Sequence, residues 1–107
     1  MTPQEAKEIS IEVWTYLAEH PEIERKWQLP KELYERIELM IGKCPVCELY
    51  GRGGRIDEAG YPCNKECPLY GCDREGGLYS KWLKGVSRDI RSKFAHEILD
   101  KLKAWEI

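Results

Sequence analysis

All five cysteines of the chain lie between positions 44 and 72. Cys44 and Cys47 are separated by two residues, Cys63 and Cys67 by three, and Cys72 follows after four more. Thiolates are preferred ligands of structural zinc, and a two-residue gap lets both sulfurs of one turn reach the same ion. The cluster therefore predicts a site at which cysteine thiolates bind a metal ion.

The predicted ligand set begins with Cys44 and Cys47, since Pro45 stiffens the turn between them. Cys63, Cys67 and Cys72 are three candidates for the two remaining positions of a tetrahedral site. Four of the five cysteines are therefore expected to bind zinc, while the fifth packs as a small apolar residue or beside the ligands. Four thiolates leave no open position for water, which predicts a structural metal.

Other cysteine chemistries fit the spacing less well. An iron–sulfur cluster also takes four thiolates, but the compact cysteine runs of ferredoxins are absent, so it remains a remote alternative. A thioredoxin-like pair would open a helix that follows a strand, whereas Cys44 and Cys47 are predicted to follow a helix. The odd cysteine count and the absence of a secretory signal argue against a disulfide framework and predict a cytoplasmic protein.

No constellation typical of an enzyme accompanies the cysteines. His20 falls at a predicted helix end and His96 in the middle of the last predicted helix, so neither is expected to bind the metal. Asp57 and Glu58 are neighbours in a polar loop and indicate solvated charge rather than an acid–base pair. The sequence holds no phosphate-binding glycine motif and no nucleophile triad. We predict no catalytic residues.

Helical patterns flank the cysteine cluster on both sides. A capping box at Thr2 and Glu5, with Pro3 between them, predicts a helix over residues 3–19. Further helices are predicted from Pro30 to Gly42, over residues 77–84, and from the cap at Ser87 to about Trp105. No apolar run is long enough to cross a bilayer.

The fold class follows from this order of elements. A chain of 107 residues is the length of one domain. We predict a mainly α, small helical domain with N-terminal helices over 1–42, the cysteine cluster over 43–76 and C-terminal helices over 77–107. The cluster is expected to form a zinc-ribbon or treble-like loop inserted between the helices.

The charges and the four tryptophans bear on binding. Residues 1–42 hold five basic and nine acidic side chains, while residues 80–107 hold seven basic and four acidic ones. Trp14 and Trp82 are predicted to fill the core, and Trp27 and Trp105 are the expected exceptions. Basic residues near the cysteines are candidate contacts for a protein partner or a nucleic acid: Arg52, Arg55, Lys65, Arg74, Lys81 and Lys84.

Taken together, the motifs over residues 11–105 resemble small, cysteine-rich proteins encoded by tailed phages and prophages. The matching residues are Trp14-x-x-Leu17-Ala18-Glu19-x-Pro21, Trp27, Cys44-x-x-Cys47-Glu48, Cys67-Pro68-Leu69, Cys72 and Tyr79-x-x-Trp82. The middle cysteine pair of that group is more often separated by two residues than by three. The resemblance implies a zinc-binding phage accessory protein acting in the host cell cytoplasm, and it implies no reaction.

The sequence thus predicts a zinc-stabilised module that binds a protein partner. The alternative is a nucleic-acid-binding accessory factor that uses the basic residues near the zinc site. A membrane partner is not expected.

Overall fold

The computed structural model describes residues 1–40, 43–50, 67–69 and 76–107, and these ranges are mainly helical with no strand. The elements are α1 Pro3–Glu19, a 3₁₀ turn at Lys26–Gln28, α2 Lys31–Glu35, α3 Pro45–Tyr50, α4 Leu78–Leu83 and α5 Arg88–Ala104. The predicted helical class is confirmed. The predicted ribbon or treble-like loop lies largely outside the described residues.

The two long helices begin and end where their caps predict. The Thr2 hydroxyl accepts a hydrogen bond from the Glu5 amide at 3.1 Å, and the Glu5 carboxylate accepts one from the Thr2 amide. At the start of α5, the Ser87 hydroxyl accepts from the Ile90 amide at 3.3 Å. These side chains satisfy amides that would otherwise have no partner in the first turn.

The core forms where α1 and α5 pack against each other, with α4 against α5 and α3 against α1. Helix α1 contributes Val13, Trp14 and Leu17, and all three side chains are buried. Trp82 from α4 is completely buried and meets Trp14 edge to face, with 5.2 Å between the ring centroids. The buried residues of α5 complete the cluster: Ala95, Ile98, Leu99 and Leu102.

Trp14, Trp82 and Trp27 lie as the sequence predicts, whereas Trp105, predicted to be an exception to core packing, packs against the core. Trp14 and Trp82 are in the core, Trp27 is 65% exposed, and Trp105 is partly buried against the core. The ring of Trp105 also meets that of Tyr50 at the end of α3, with 6.1 Å between centroids. The C-terminal end of α5 is therefore packed close to α3, the helix that contains Cys47.

The second predicted helix is much shorter than expected. Regular α-helix ends at Glu35, and the amides of Arg36 and Ile37 bond to carbonyls three residues back. Ile37 is completely buried although it lies in three-residue turns and not in a regular α-helix. The apolar positions therefore face the core even though the long helix is absent. Ile41 and Gly42, with which the helix was expected to end, lie outside the described residues.

A buried arginine joins the loops at one end of the bundle. The Arg91 side chain, on α5, donates to the carbonyl of Pro21 at 2.8 Å and to that of Gly85 at 3.0 Å. A Glu24 carboxylate oxygen lies 3.9 Å from the same guanidinium. Arg91 thereby holds the segment after α1 and the α4–α5 turn against α5.

Candidate metal centre

Cys44 and Cys47 lie at the start of α3, which is a correction to the sequence analysis. The pair was predicted to follow a helix and lead into a loop, but a helix begins directly after Cys44, with Pro45 as its first residue. The preceding residue, Lys43, has a φ of 51°, in the left-handed region. This sharp turn brings the chain into α3 with the Cys44 side chain inside the core.

The Cys44 sulfur is surrounded by hydrogen-bond donors. The Cys47 thiol and the backbone amides of Cys47 and Val46 lie close enough to stabilise its thiolate form. The largest cause that lowers the pKa of the Cys44 thiol is hydrogen bonding to the Cys47 side chain, followed by the charge of Lys26 and then by the backbone amides. Together they lower this pKa to about 6, although burial opposes the shift. Hydrogen bonds to the thiolate and a nearby cation both favour the charged form.

Lys26 is a buried cation that the sequence analysis did not find. Only 6% of the residue is exposed, and its ammonium donates to the Lys43 carbonyl at 3.0 Å. The ammonium also lies 4.6 Å from the centroid of the Tyr79 ring and 5.8 Å from that of Trp14. Because a buried charge needs compensation, these contacts and the Cys44 thiolate explain how it is accommodated.

The turn around Lys26 is fixed by its neighbours. The Gln28 side-chain oxygen accepts hydrogen bonds from the amides of Glu24 and Arg25, at 2.7 Å and 3.0 Å. The Arg25 guanidinium donates to the Leu83 carbonyl at the end of α4. Nothing in the run of charged residues around Lys26 distinguishes it from Arg25, so no sequence signal identifies which of the two is buried.

Cys67 shares a local feature with Cys44. It is buried, and its sulfur accepts a hydrogen bond from the amide of Leu69 at 3.4 Å. Each of these two cysteines precedes a proline, and in each the amide two residues further on favours the thiolate form of the sulfur. Amide hydrogen bonds to sulfur favour the thiolate, which is the form that binds metal.

The structure brings together part of the predicted ligand set. Cys44 and Cys47 are in contact, and no disulfide joins them to each other or to Cys67. Within residues 1–40, 43–50, 67–69 and 76–107, no group of three or more His, Cys, Asp or Glu side chains is placed to hold one metal ion. Cys63 and Cys72 lie outside the described residues.

The two sulfurs that the structure places together have the chemistry of zinc ligands. Two cysteine sulfurs in contact, one of them in surroundings that favour its thiolate, are half of a tetrahedral thiolate site. A bound zinc ion would be held by this pair and by two of the other three cysteines, and it would crosslink the segments that carry them. The nearby ammonium would offset part of the negative charge of such a centre.

Both histidines contact neighbouring residues on or next to their own helices. The His20 ring stacks on Tyr16, with 4.0 Å between centroids, and its Nδ1 lies 3.2 Å from a Glu22 carboxylate oxygen. Nδ1 of His96 lies 2.8 Å from the Ser92 carbonyl on the preceding turn of α5. Neither contact involves a cysteine.

Two of the predicted basic contact residues can be located. Lys81 and Lys84 are exposed on and just after α4, where they line a groove beside Val86 and Ile90. The remaining candidates lie outside the described residues: Arg52, Arg55, Lys65 and Arg74. None of the helices in the described ranges is both long and apolar enough to cross a membrane.

Comparison with known proteins gives no relative: no protein-family model, no curated protein and no solved structure matches the chain.

Proposed function

We propose that this chain is a small zinc-stabilised module that binds a protein partner in the cytoplasm. The zinc ion would be bound by Cys44, Cys47 and two of the three cysteines that follow. Its role would be to fix the fold, because thiolates would fill every coordination position. The resemblance to phage and prophage proteins makes an accessory protein of that origin part of the proposal.

The observation that carries the proposal is the environment of the Cys44 sulfur. Cys44 is only 7% exposed, yet the Cys47 thiol, the backbone amides of Cys47 and Val46 and the Lys26 ammonium all favour its thiolate form. A buried thiolate with such partners is suited to remain charged, as a zinc ligand must. A buried cysteine that only fills space would gain nothing from these donors.

The same burial argues against a redox role. Thiol–disulfide exchange requires that the sulfur with the lowered pKa be accessible to a second disulfide. Here the lowered pKa belongs to Cys44, the more buried cysteine of the pair, while Cys47 is partly exposed. A metal ligand therefore fits the pair better than a nucleophile does, and we propose no enzymatic activity.

Metal analysis of the purified chain tests the proposal. We expect one zinc ion per chain, lost in Cys44→Ser and in Cys47→Ser. Serine substitution at each of the other three cysteines provides the matched control, because one of those variants should retain zinc. The proposal would be refuted if the purified chain held no zinc, or if the Cys44→Ser variant bound zinc as well as the unmodified chain does. Stoichiometric iron and sulfide would instead identify the centre as an iron–sulfur cluster.

A further inference from the structure

The α4–α5 turn forms an apolar groove with a basic rim. The groove has a volume of about 330 Å³ and is lined by Gly76, Ser80, Lys81, Lys84, Gly85, Val86, Ile90 and Phe94. This volume is at the lower end of the range typical of ligand pockets, roughly 300–1,000 Å³. It suits one or two side chains of a partner better than a large cofactor.

The apolar part of the groove is open to solvent. Val86 is 87% exposed and Ile90 is 37% exposed, and both are aliphatic residues beside the partly buried ring of Phe94. Covering such side chains with an apolar group removes their surface from water, which favours binding. The lining therefore prefers an occupant that brings an apolar side chain of its own.

Among the described residues, the charge at the rim of the groove has one sign. Lys81 and Lys84 are the charged residues that line it in this part of the chain. The ammonium of Lys81 lies 5.4 Å from the centroid of the Phe94 ring, and that of Lys93 lies 5.3 Å from it. Within the described ranges, no carboxylate forms an ion pair with these three lysines. The exposed carboxylate of Asp89 is nearby in sequence but does not line the groove.

We propose that this groove binds an acidic peptide segment of a partner protein that carries an apolar side chain. The apolar side chain would lie against Val86, Ile90 and Phe94, while carboxylates beside it would pair with Lys81 and Lys84. A nucleic acid would satisfy the lysines but would leave the aliphatic residues exposed to a charged backbone. The combination of an apolar floor and a cationic rim therefore favours an acidic peptide.

This proposal rests on the proposed function only in assuming a protein partner, because α4 and α5 form the groove without any cysteine. The two can fail separately. Zinc content is measured on the same sample. A chain that holds zinc but binds no acidic peptide therefore refutes the peptide-binding proposal and leaves the zinc proposal intact. A zinc-free chain that folds and binds the peptide defeats the zinc role alone.

Selection from a random twelve-residue peptide library displayed on yeast provides the test. The folded, full chain should enrich sequences that place Asp or Glu next to Leu, Ile, Phe or Trp. The best synthetic peptide is then measured by fluorescence polarisation, together with two analogues. One analogue has asparagine or glutamine in place of the acidic residues, the other has serine in place of the apolar ones, and both should bind more weakly.

Matched variants locate the binding surface. The double variant Lys81→Glu with Lys84→Glu should weaken binding about tenfold, because two attractive charges become repulsive. Lys101→Glu with Lys103→Glu, the same change of charge on exposed positions at the end of α5, should alter it less than about twofold. Val86→Ser should weaken binding about fivefold, whereas Leu39→Ser, at a residue that is 94% exposed, should not.

Several results would overturn the groove as an acidic-peptide site. One is a library that yields no enrichment or no acidic and apolar bias. Another is a selected peptide whose affinity is unchanged by Val86→Ser and by charge reversal at Lys81 and Lys84. A third is tighter binding of single-stranded DNA than of the peptide, when that DNA binding is abolished by the same charge reversal and unchanged by Val86→Ser.

Discussion

At the residue scale, the charge of Lys26 links the core to the cysteine pair. Its ammonium is buried among two aromatic rings and the Lys43 carbonyl, and it is among the groups that lower the pKa of the Cys44 thiol. Isolated buried ammonium groups usually lose their proton, since burial disfavours charge. The Tyr79 and Trp14 rings, the Lys43 carbonyl and the nearby Cys44 sulfur are the groups that compensate this ammonium for its burial.

We expect Lys26→Met to release zinc at a higher pH than the unmodified chain. Methionine keeps most of the apolar stem but removes the cation, so the pKa of the Cys44 thiol should rise. Protons then compete with the metal earlier as the pH falls, and the zinc affinity at neutral pH should drop about tenfold. The measurement is zinc release against pH, followed with a chromogenic chelator.

Lys31→Met is the control for this substitution. Lys31 has 87% of its side chain exposed and forms an ion pair with Glu35 at 3.8 Å. Removing its charge should leave the pH of zinc release unchanged. Equal release curves for Lys26→Met and the unmodified chain would show that the ammonium does not support the thiolate.

At the scale of elements, Arg91 on α5 holds two loops in place through hydrogen bonds. Its guanidinium donates hydrogen bonds to the carbonyls of Pro21 and Gly85. Gly85 also lies close to the Arg91 side chain. A β-carbon added at Gly85 would lie 2.7 Å from Cγ of Arg91 and 3.1 Å from the Trp82 carbonyl oxygen. The turn therefore has room for glycine, and a larger residue would require a shift of the Arg91 side chain or of the backbone at Trp82.

Arg91→Leu should lower the free energy of unfolding by about 2–4 kcal/mol. The substitution keeps an apolar stem but leaves two carbonyls without their donor, and such groups are costly when they are shielded from water. Urea unfolding followed by circular dichroism measures the change. Arg88→Leu, an exposed arginine one turn earlier, should cost less than about 0.5 kcal/mol, and similar losses for both variants would contradict the role given to Arg91.

The sequence predicted elements well where local chemistry decides them. The cap of Thr2 and that of Ser87 determine where α1 and α5 begin, and both are confirmed. Helix α3 was missed because the Cys44–Cys47 spacing was interpreted as a turn alone. Pro45 is nevertheless suited to the first position of a helix. The long second helix was wrong because apolar spacing of three and four residues also fits three-residue turns.

At the scale of the whole molecule, the cysteine segment belongs to the same core as the helices. Cys44, Val46, Cys67 and Leu69 are buried in one cluster with Trp14. The sequence could identify these cysteines by spacing, but it could not identify the long-range burial of Lys26 beside them. That burial depends on contacts with Lys43 and Tyr79, which are distant in the chain.

Removal of the proposed zinc ion should therefore loosen the molecule first on the side of the cysteines. Helix α3 packs on α1, whereas α1 and α5 share an interface formed by Val13, Leu17, Ile98 and other buried residues. We expect the chelated chain to melt at least about 10 °C lower, since metal binding contributes directly to folding. Amide exchange should rise first in Pro45–Tyr50 and later in α1 and α5.

Ile98→Val separates this effect from general weakening of the core. Ile98 is completely buried on α5, and loss of one methylene should cost about 1 kcal/mol in the zinc-bound and chelated chains alike. Because the variant leaves the cysteines untouched, its zinc content should equal that of the unmodified chain. If verified metal loss changes neither the melting temperature nor the exchange of α3, the helices hold together without the ion and zinc has no structural role.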